Sequence, residues 1–356
     1  MQGANGELWG KERVIAALMR AQRDSGDVVP RLVTFAPSAL GALLSDQGFE
    51  VEALERRDRT VPLGAVLALR RSLINATGIV HTHGYKANIV GRLARAAGAP
   101  MRALVSTCHG WVDESTRTRL YNRIDRATAP ASDVVTVTDR AMLARIPSGV
   151  RAHYVANGIE DRAPASPSAR TDARARFRFP ADRLIVGTLG RIERSKGALD
   201  VLEAARRTAD APVQWILAGG GTLETEIRSA GLPNVTVLDY VDESDRYLDA
   251  IDVYLQASHA EGLSLALLEA MRAALAIVAT RAGSTEDAVR SHLEALLIAP
   301  GDVDALVGAV RRLIEERDLA PRLGSAARER FERSFRLESQ HRAFLSVYAS
   351  CDRMRS

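Results

Sequence analysis

Short apolar runs alternate with stretches of helical periodicity along almost all of the 356 residues. This alternation is typical of α/β domains with parallel sheets, in which a helix follows each strand. In the first half, the pattern predicts strands at 31–35, 78–81, 103–108 and 134–137. The predicted helices of this half cover 12–23, 66–74, 87–97 and 117–126.

The second half repeats the pattern. It predicts strands at 184–189, 214–218, 235–238, 253–256, 276–279 and 296–298, followed by a helical tail from 304 to about 351. Residues 160–181 are rich in Pro, Ser and Arg, which indicates a linker with a short helix.

The predicted organisation is a first domain at 1–160, a linker at 161–181 and a second domain at 182–336. A helix at 337–356 is predicted to cross back to the first domain. Two doubly wound domains of this kind leave a cleft at the carboxyl ends of their strands, where ligands bind.

Composition restricts the cellular setting. The two cysteines, Cys108 and Cys351, make no disulfide framework, which favours a reducing cytoplasm. No apolar run is long enough to span a bilayer, and the first residues lack the apolar core of a secretory signal. We therefore expect a cytoplasmic protein.

Charge is uneven along the chain. Residues 1–160 carry 21 Lys/Arg against 15 Asp/Glu, whereas residues 161–356 carry 27 against 29. The basic first half indicates either a surface for a polyanion or a chance excess on a solvated surface. Arg117, Arg119, Arg123 and Arg126 lie partly on one predicted helical face. We expect this half to bind anionic membranes reversibly, with an affinity that falls as salt rises.

The string EGLSLALLE places Glu261 in a loop and Glu269 on the following helix. Ser264 is a natural N-cap for that helix, so free backbone N–H groups near Leu265 would face an anion. Glu269 is placed to accept hydrogen bonds from ribose hydroxyls and Glu261 from sugar hydroxyls. Two solvated glutamates are the alternative interpretation.

The string GRIERSKG supplies two cations. Gly190 follows a predicted strand and lets the chain turn sharply. Arg191 and Lys196 then lie on the loop and at the start of the next helix. Two cations and a helix N-terminus can offset the charge of a diphosphate without a metal. The alternative is a pair of surface cations.

Six strings of the second half, in order, resemble the retaining glycosyltransferase family 4 (glycosyl transferases group 1). They are GTLGRIERSKG, QWILAGGG, NVTVLDYV, IDVYLQASHAEGLSLALLEAM, AIVATRAGSTEDAV and APGDVDAL, covering nearly all of 184–310. The resemblance implies the GT-B fold, in which two Rossmann-like doubly wound domains face a cleft. It implies that Arg191 and Lys196 bind the donor diphosphate and that Glu261 and Glu269 form the donor signature.

The resemblance also assigns further donor residues. It implies recognition of the base near Tyr240 and Val241, after a strand. Gly262 and Leu263 belong to the donor signature itself.

The first half resembles the same family more loosely. GKERVIAAL is similar to a glycine-rich string that opens the first helix, which implies a donor-binding role for Gly10. STCHGW places His109 at the family's catalytic-pocket histidine, where it would position the sugar. HTHGYKANIVGRLA places His81, His83, Tyr85 and Lys86 on the acceptor side. The two histidines of this string are equally well explained as strand-end residues.

The beginning of the chain departs from that family. A strand precedes the glycine-rich loop in the family, whereas MQGANGELW contains no β-branched run. The expectation is that the first strand is missing or that the start is placed late, which puts the roles of Gly3 and Gly6 in doubt. A chain extended upstream is then expected to be more soluble, more stable and more active.

The resemblance implies a hexosyltransferase-type enzyme that moves a sugar from a nucleoside diphosphate to a hydroxyl of a polysaccharide or lipid-linked glycan. Retention would follow from front-side attack, with the leaving phosphate taking the acceptor proton. A nucleotide-sugar epimerase of the same fold, or an inactive sugar-nucleotide-binding partner, remains an alternative. The run 219–221 lacks the spacing of a dinucleotide motif, and no cysteine or histidine group has zinc spacing, so neither a cofactor nor a metal is expected. Aromatic residues are too sparse for a nucleic-acid stacking platform.

Overall fold

The computed structural model describes residues 8, 10–54, 63–75, 78–111 and 116–352. Its contacts divide the chain into two compact units. The first comprises Met1–Gly158 together with Leu337–Ser356, and the second comprises Ile159–Arg336.

The first unit contains two parallel sheets, a two-stranded one with β1 beside β2 and a four-stranded one in the order β3-β4-β5-β6. Its strands are β1 (Leu32–Thr34), β2 (Val51–Ala53), β3 (Ile79–His83), β4 (Ala103–Cys108), β5 (Val134–Val137) and β6 (Ala152–Tyr154). Its helices are α1 (Gly10–Ser25), α2 (Ala39–Asp46), α3 (Leu63–Ser72), α4 (Tyr85–Ala96) and α5 (Thr116–Thr128), with α14 (Leu337–Asp352) at the end of the chain. Short 3₁₀ helices lie at Ala129–Ala131 and Arg140–Arg145.

Helix α1 packs on both sheets of the first unit. Ile15 and Met19 belong to the apolar cluster beside β1 and β2, whereas Leu18 belongs to the cluster beside β4 and β5. Phe344 of α14 joins the second of these clusters. The last helix of the chain is therefore part of the core of the first unit.

The second unit is a six-stranded parallel sheet in the order β12-β11-β10-β7-β8-β9. Its strands are β7 (Leu184–Leu189), β8 (Val213–Ala218), β9 (Val235–Leu238), β10 (Val253–Gln256), β11 (Ala276–Thr280) and β12 (Leu296–Ile298). Its helices are α6 (Pro167–Phe177), α7 (Ala198–Arg207), α8 (Glu224–Ser229), α9 (Ser244–Ala250), α10 (Leu265–Arg272), α11 (Thr285–Ala288), α12 (Val303–Glu315) and α13 (Leu319–Ser334). A 3₁₀ helix at Arg194–Lys196 precedes α7.

Continuous apolar sequence explains the central strands of the second unit. Every residue of β8, β10 and β11 is buried, as expected for parallel strands covered on both faces. Trp215 in β8 is fully buried, and its indole N–H donates to Thr208 Oγ1 at 3.0 Å. Because that one polar atom has a partner, the ring adds apolar contact without an unpaired donor.

The structure corrects several sequence expectations. Three short elements, α2, β2 and β6, were not predicted. Strand β3 continues to His83, so His81 lies inside the strand and only His83 ends it. Asp302 is the N-cap of α12, because its side chain accepts from Ala305 N at 2.9 Å. The expectation about the first strand, with Gly3 and Gly6, falls on residues outside the described part of the chain.

No helix in the described ranges combines the length and the apolar character needed to cross a bilayer.

Candidate active site

A tight crossing of loops in the second unit places the predicted cations. Gly190 follows β7 with a φ of 144°, and a Cβ on Gly219 would lie 2.1 Å from the Gly190 carbonyl oxygen. Gly197, which separates the 3₁₀ helix from α7, has a φ of 71° and would place a Cβ 2.0 Å from the Ala257 carbonyl oxygen. Both approaches require glycine. The first joins the loops after β7 and β8, and the second brings the loop that carries Lys196 against the end of β10.

Lys196 and Glu261 form an ion pair, although 65 residues separate them in the chain. The Lys196 ammonium donates to Glu261 Oε2 at 2.5 Å, and the Ser258 hydroxyl donates to the same oxygen at 3.0 Å. These side chains line a small cavity of about 60 Å³ together with Gly190 and Arg191. The structure thus brings together residues that the sequence placed in two separate motifs.

Ser264 caps α10 as predicted, because its hydroxyl accepts from Leu267 N at 3.3 Å. It lines the same cavity as Lys196 and Glu261. The first backbone N–H groups of α10 therefore begin beside a cation and a carboxylate, in the arrangement that suits an anion.

Glu269 lies on the second turn of α10 and is only 2% exposed. It is therefore not the solvated glutamate of the alternative interpretation. Tyr254, in β10, is fully buried; its pKa is raised by loss of solvation and, to a smaller extent, by the charges of Glu261 and Glu269. The two carboxylates of the donor signature thus act on one phenol, which stays protonated.

Arg191 pairs with a carboxylate that sequence analysis did not single out. Its Nη1 lies 3.0 Å from Glu193 Oε1, and the arginine side chain is 47% exposed. An exposed pair of this kind contributes about 0–1 kcal/mol, so a diphosphate can displace the carboxylate at little cost.

The remaining donor residues occupy loops and one helix start. Tyr240 is 59% exposed just after β9, and Val241 beside it is half-buried. Gly262 and Leu263 lie between Glu261 and the cap, and Leu265 is the first residue of α10. The structure therefore places all five on loops or helix starts at the carboxyl ends of strands.

Sequence analysis missed Gly283. Its φ is 54°, and a Cβ there would lie 1.7 Å from the Glu261 carbonyl oxygen. The loop after β11 thus touches the backbone of the loop that holds Glu261. Ser258, Tyr254 and Glu193 were also missed. Of these residues, only Ser258 could have been found from the sequence, because it lies three residues before Glu261.

The first unit holds a row of three imidazoles. His83 Nδ1 lies 3.1 Å from His109 Nε2, and the rings of His81 and His83 are 4.1 Å apart. Loss of solvation lowers the pKa of His83 to about 3, with a further contribution from the charge of Lys11. It also takes the pKa of His81 and His109 well below the usual value. All three rings are therefore neutral near pH 7.

His81 is held by a chain of hydrogen bonds from the last helix. Gln22 donates to the Tyr348 hydroxyl at 3.2 Å, and that hydroxyl lies 2.8 Å from His81 Nδ1. The other ring nitrogen lies 2.6 Å from Thr107 Oγ1. With Gln22 donating to its oxygen, the Tyr348 hydroxyl can donate a hydrogen bond to His81 Nδ1, and in that arrangement the imidazole carries its proton on Nε2. These contacts favour a structural role for His81 inside β3.

His83→Gln is expected to flatten the loss of stability in acid. A folded pKa of about 3 lies below the unfolded value near 6.5, so the unfolded chain binds more protons between these values. The free energy of unfolding therefore falls as pH drops through about 6.5, by up to ~1.4 kcal/mol per pH unit for each such group. Urea unfolding between about pH 7 and pH 5 measures the slope. The exposed His153→Gln is the control, and equal slopes in the two variants would refute the assignment.

Two lysines lie near these histidines. A Cβ on Gly84, at the start of α4, would lie 3.7 Å from Lys11 Nζ. Loss of solvation lowers the pKa of Lys11, with Glu12 opposing and Lys86 adding to the shift. Loss of solvation also lowers the pKa of Lys86, and the charge of Arg117 acts in the same direction.

The structure also places the two remaining residues predicted for the first unit. Tyr85 packs on Tyr121 with the ring centroids 5.3 Å apart and the ring planes tilted by 31°. Gly10 is the first residue of α1.

Comparison with protein-family models matches both units. Residues 10–158 match the glycosyl transferase 4-like domain, and residues 169–330 match the glycosyl transferases group 1 domain. The chain is therefore a glycosyltransferase with a glycosyl transferases group 1 domain in its second unit. The resemblance to glycosyl transferases group 1 that was stated from the sequence is thereby confirmed, whereas retention stays a prediction.

Relatives in this family come from several bacteria. A GDP-mannose-dependent alpha-(1-6)-phosphatidylinositol monomannoside mannosyltransferase of Mycobacterium tuberculosis is 29% identical over 259 residues, and the match covers 66% of each chain. The chain thus spans about two thirds of the length of that relative. An alpha-maltose-1-phosphate synthase of Mycolicibacterium smegmatis is 29% identical over 291 residues, covering 72% of this chain and 74% of that one.

Among solved structures, Alr3699/HepE of Anabaena in complex with UDP-glucose is similar over 98% of both chains. The TM-score is 0.82 and the sequence identity is 22%. This similarity confirms the predicted GT-B fold class, with its two Rossmann-like α/β units.

Proposed function

We propose that the protein transfers a sugar from a nucleoside diphosphate to a hydroxyl group of a glycan or lipid-linked acceptor, with retention and without a metal. The observation that carries the proposal is the Lys196–Glu261 pair beside the capped start of α10. A cation and free N–H groups suit a diphosphate, and a carboxylate suits sugar hydroxyls.

The chemistry places charge on the leaving group. The bond between C1 of the sugar and the phosphate oxygen breaks, the acceptor oxygen bonds to C1 from the same face, and the acceptor proton passes to the leaving phosphate. Lys196, Arg191 and the N–H groups of α10 would stabilise the charge that develops on the diphosphate. This set of charges is the reason for proposing that no metal is needed.

The two carboxylates of the donor signature have separate proposed roles. Glu261, in a loop and 2.5 Å from Lys196, would accept from hydroxyls of the transferred sugar. Glu269, buried on α10, would accept from the ribose. In the first unit, His109 would position the sugar through a neutral ring, and Gly10 would lie near the phosphates. His83, Tyr85 and Lys86 remain candidates for the acceptor.

Glu261→Gln and Glu269→Gln are expected to differ in their effects. The first should lower kcat with nucleoside diphosphate affinity little changed, because the proposed contact of Glu261 with the donor is to the sugar. The second should weaken nucleoside diphosphate binding directly. Calorimetric titration with the free diphosphate, beside initial rates with the full donor, separates the two. Equal losses of diphosphate affinity would contradict the split.

Relatives suggest the substrates to try first. One is named for GDP-mannose and phosphatidylinositol monomannoside, and a similar structure holds UDP-glucose. We therefore include GDP and UDP donors, with glycolipid and oligosaccharide acceptors. The proposal places the protein in the cytoplasm, peripheral at an anionic membrane surface, as an enzyme of polysaccharide or glycolipid synthesis.

The test is a donor panel with and without EDTA, followed by mass spectrometry and by NMR of the anomeric proton. Release of nucleoside diphosphate with a glycosylated acceptor of retained configuration, in EDTA, supports the proposal. Donor turnover without any acceptor would indicate an epimerase instead. Nucleotide binding without turnover on the full panel would indicate an inactive binding partner.

A further inference from the structure

Three neighbouring helices of the first unit, α3, α4 and α5, have outward sides of an unusual composition. Eight large hydrophobic side chains are exposed in the described part of the chain. Five of them belong to these helices or to the turn after α3, namely Leu63, Leu67, Ile74, Leu93 and Leu120. We call these outward sides the leucine–arginine face.

The three helices lie side by side. Val66 and Leu69 on the inward side of α3 share an apolar cluster with Val90 of α4. Arg92 of α4 reaches across to α5, with its Nη1 2.8 Å from Asp125 Oδ1, and both side chains are 1% exposed. Because one layer holds all three helices, their exposed sides are adjacent.

The exposed charges that these three helices themselves carry have one sign. Exposed arginines are Arg70 and Arg71 on α3, with Arg117, Arg119 and Arg123 on α5. The sequences of α3 and α4 contain no Asp or Glu, and the one acid of α5 is the buried Asp125. The described residues of the three helices therefore expose no carboxylate. Asp113 and Glu114, which precede α5, lie outside the described ranges.

Exposed leucines and arginines occur together on α3 and on α5. On α3, Leu63, Leu67 and Arg70 follow each other at intervals of four and three residues, which places them on one stripe, and Ile74 lies in the turn after the helix. On α5, Leu120 is 57% exposed and lies one helical turn from Arg123. The exposed leucines of α3 and α5 thus share their helix with an exposed arginine.

We propose that the leucine–arginine face docks on an anionic lipid bilayer. The leucines would enter the boundary between headgroups and acyl chains, and the arginines would keep their guanidinium groups at the lipid phosphates. This inference rests on the peripheral association included in the proposed function and adds the surface that produces it. It also adds apolar insertion, which the sequence expectation of a purely electrostatic contact did not contain.

A second copy of this chain fits the face less well. A two-fold interface would place the same arginines of both copies against each other, with no exposed carboxylate from these helices between them. The five exposed apolar side chains are also spread over three helices, unlike the continuous apolar centre of a stable dimer interface. A bilayer accepts separate insertions and supplies the negative charge.

The test is co-sedimentation with phosphatidylcholine vesicles and with vesicles that contain phosphatidylglycerol, at about 0.1 M and about 0.5 M salt. We expect binding to the anionic vesicles only, with part of it kept at the higher salt because of the leucines. Arg123→Glu should weaken vesicle affinity at least about fivefold. Leu120→Ser should remove the salt-resistant part.

Matched controls lie outside the face. Arg151→Glu makes the same charge change at an exposed site on the first unit, and Leu293→Ser changes a leucine that is 52% exposed in the second. Both should bind vesicles as the wild type does. Equal losses in Arg151→Glu and Arg123→Glu, or no binding to anionic vesicles, would overturn the proposal. So would self-association in sedimentation velocity that Leu120→Ser abolishes. Vesicle binding is measured without a donor, so its failure is separate from failure of sugar transfer.

Discussion

Lys196→Ala is expected to lower kcat by about 10²–10³-fold and to leave the fold intact. Removing one donor that stabilises charge in a transition state costs about 2.7–4 kcal/mol, and Lys196 is the cation held beside the start of α10. Its ion pair with Glu261 is only partly exposed. In the variant, the Ser258 hydroxyl remains as a hydrogen-bond partner of the Glu261 carboxylate. Initial rates with saturating donor, beside a thermal melt, measure the two effects.

Arg194→Ala is the matched control for that variant. Arg194 is an exposed cation in the same 3₁₀ helix, two residues before Lys196, and its loss changes the net charge equally. Its rate should stay near that of the wild type. A rate near the wild-type value in Lys196→Ala would remove the diphosphate role. An equal loss in Arg194→Ala would show that the general charge of the loop matters, and not this ammonium.

Gly283→Ala is expected to be the most damaging single-methyl change near the donor site. The new Cβ would lie 1.7 Å from the Glu261 carbonyl oxygen, so one of the two loops must move. Overpacking of this kind typically costs about 1–3 kcal/mol. The φ of 54° adds about 1–2 kcal/mol for an L residue. We expect a lower melting temperature together with a large loss of kcat, because the moved loop carries Glu261.

Gly231→Ala separates strain from collision. Gly231 has a φ of 62°, close to that of Gly283, but nothing lies within 4 Å of a Cβ built there. Gly231→Ala should lose only the stability that the unfavourable φ of an L residue costs, and it should keep its activity. If the two alanine variants have the same melting temperature and rate, the contact with the Glu261 backbone has no consequence.

Strands with a continuous apolar run could be predicted from the sequence. Strands β4, β5, β7, β9, β10 and β12 have the predicted bounds, because such a run leaves little choice of where a parallel strand begins and ends. Strands β2 and β6 were missed. Each has three residues and includes a polar side chain. Neither an apolar run nor an alternation of apolar and polar residues is therefore long enough to indicate a strand.

The sequence identified residues of the candidate site, but it did not show which of them contact each other. Lys196 and Glu261 were identified separately, as a diphosphate cation and a sugar carboxylate, but their ion pair depends on how distant loops cross. The same is true of Gly283, since glycine in a loop is common and only its neighbour in space shows why it is needed. For Glu193, which pairs with Arg191, the sequence offered an acid two residues away and no reason to choose it.

Glycine positions around the donor site have a consequence for engineering. At Gly197, Gly219 and Gly283, and likewise at Gly221, an added Cβ would lie between 1.7 and 2.3 Å from a backbone oxygen. These contacts join main chain to main chain, so the course of the loops does not depend on the side chains between them. A randomised library aimed at donor selectivity should therefore hold the four glycines constant and vary the loop residues around them. New side chains at those positions can change the pocket without moving the backbone of the loops.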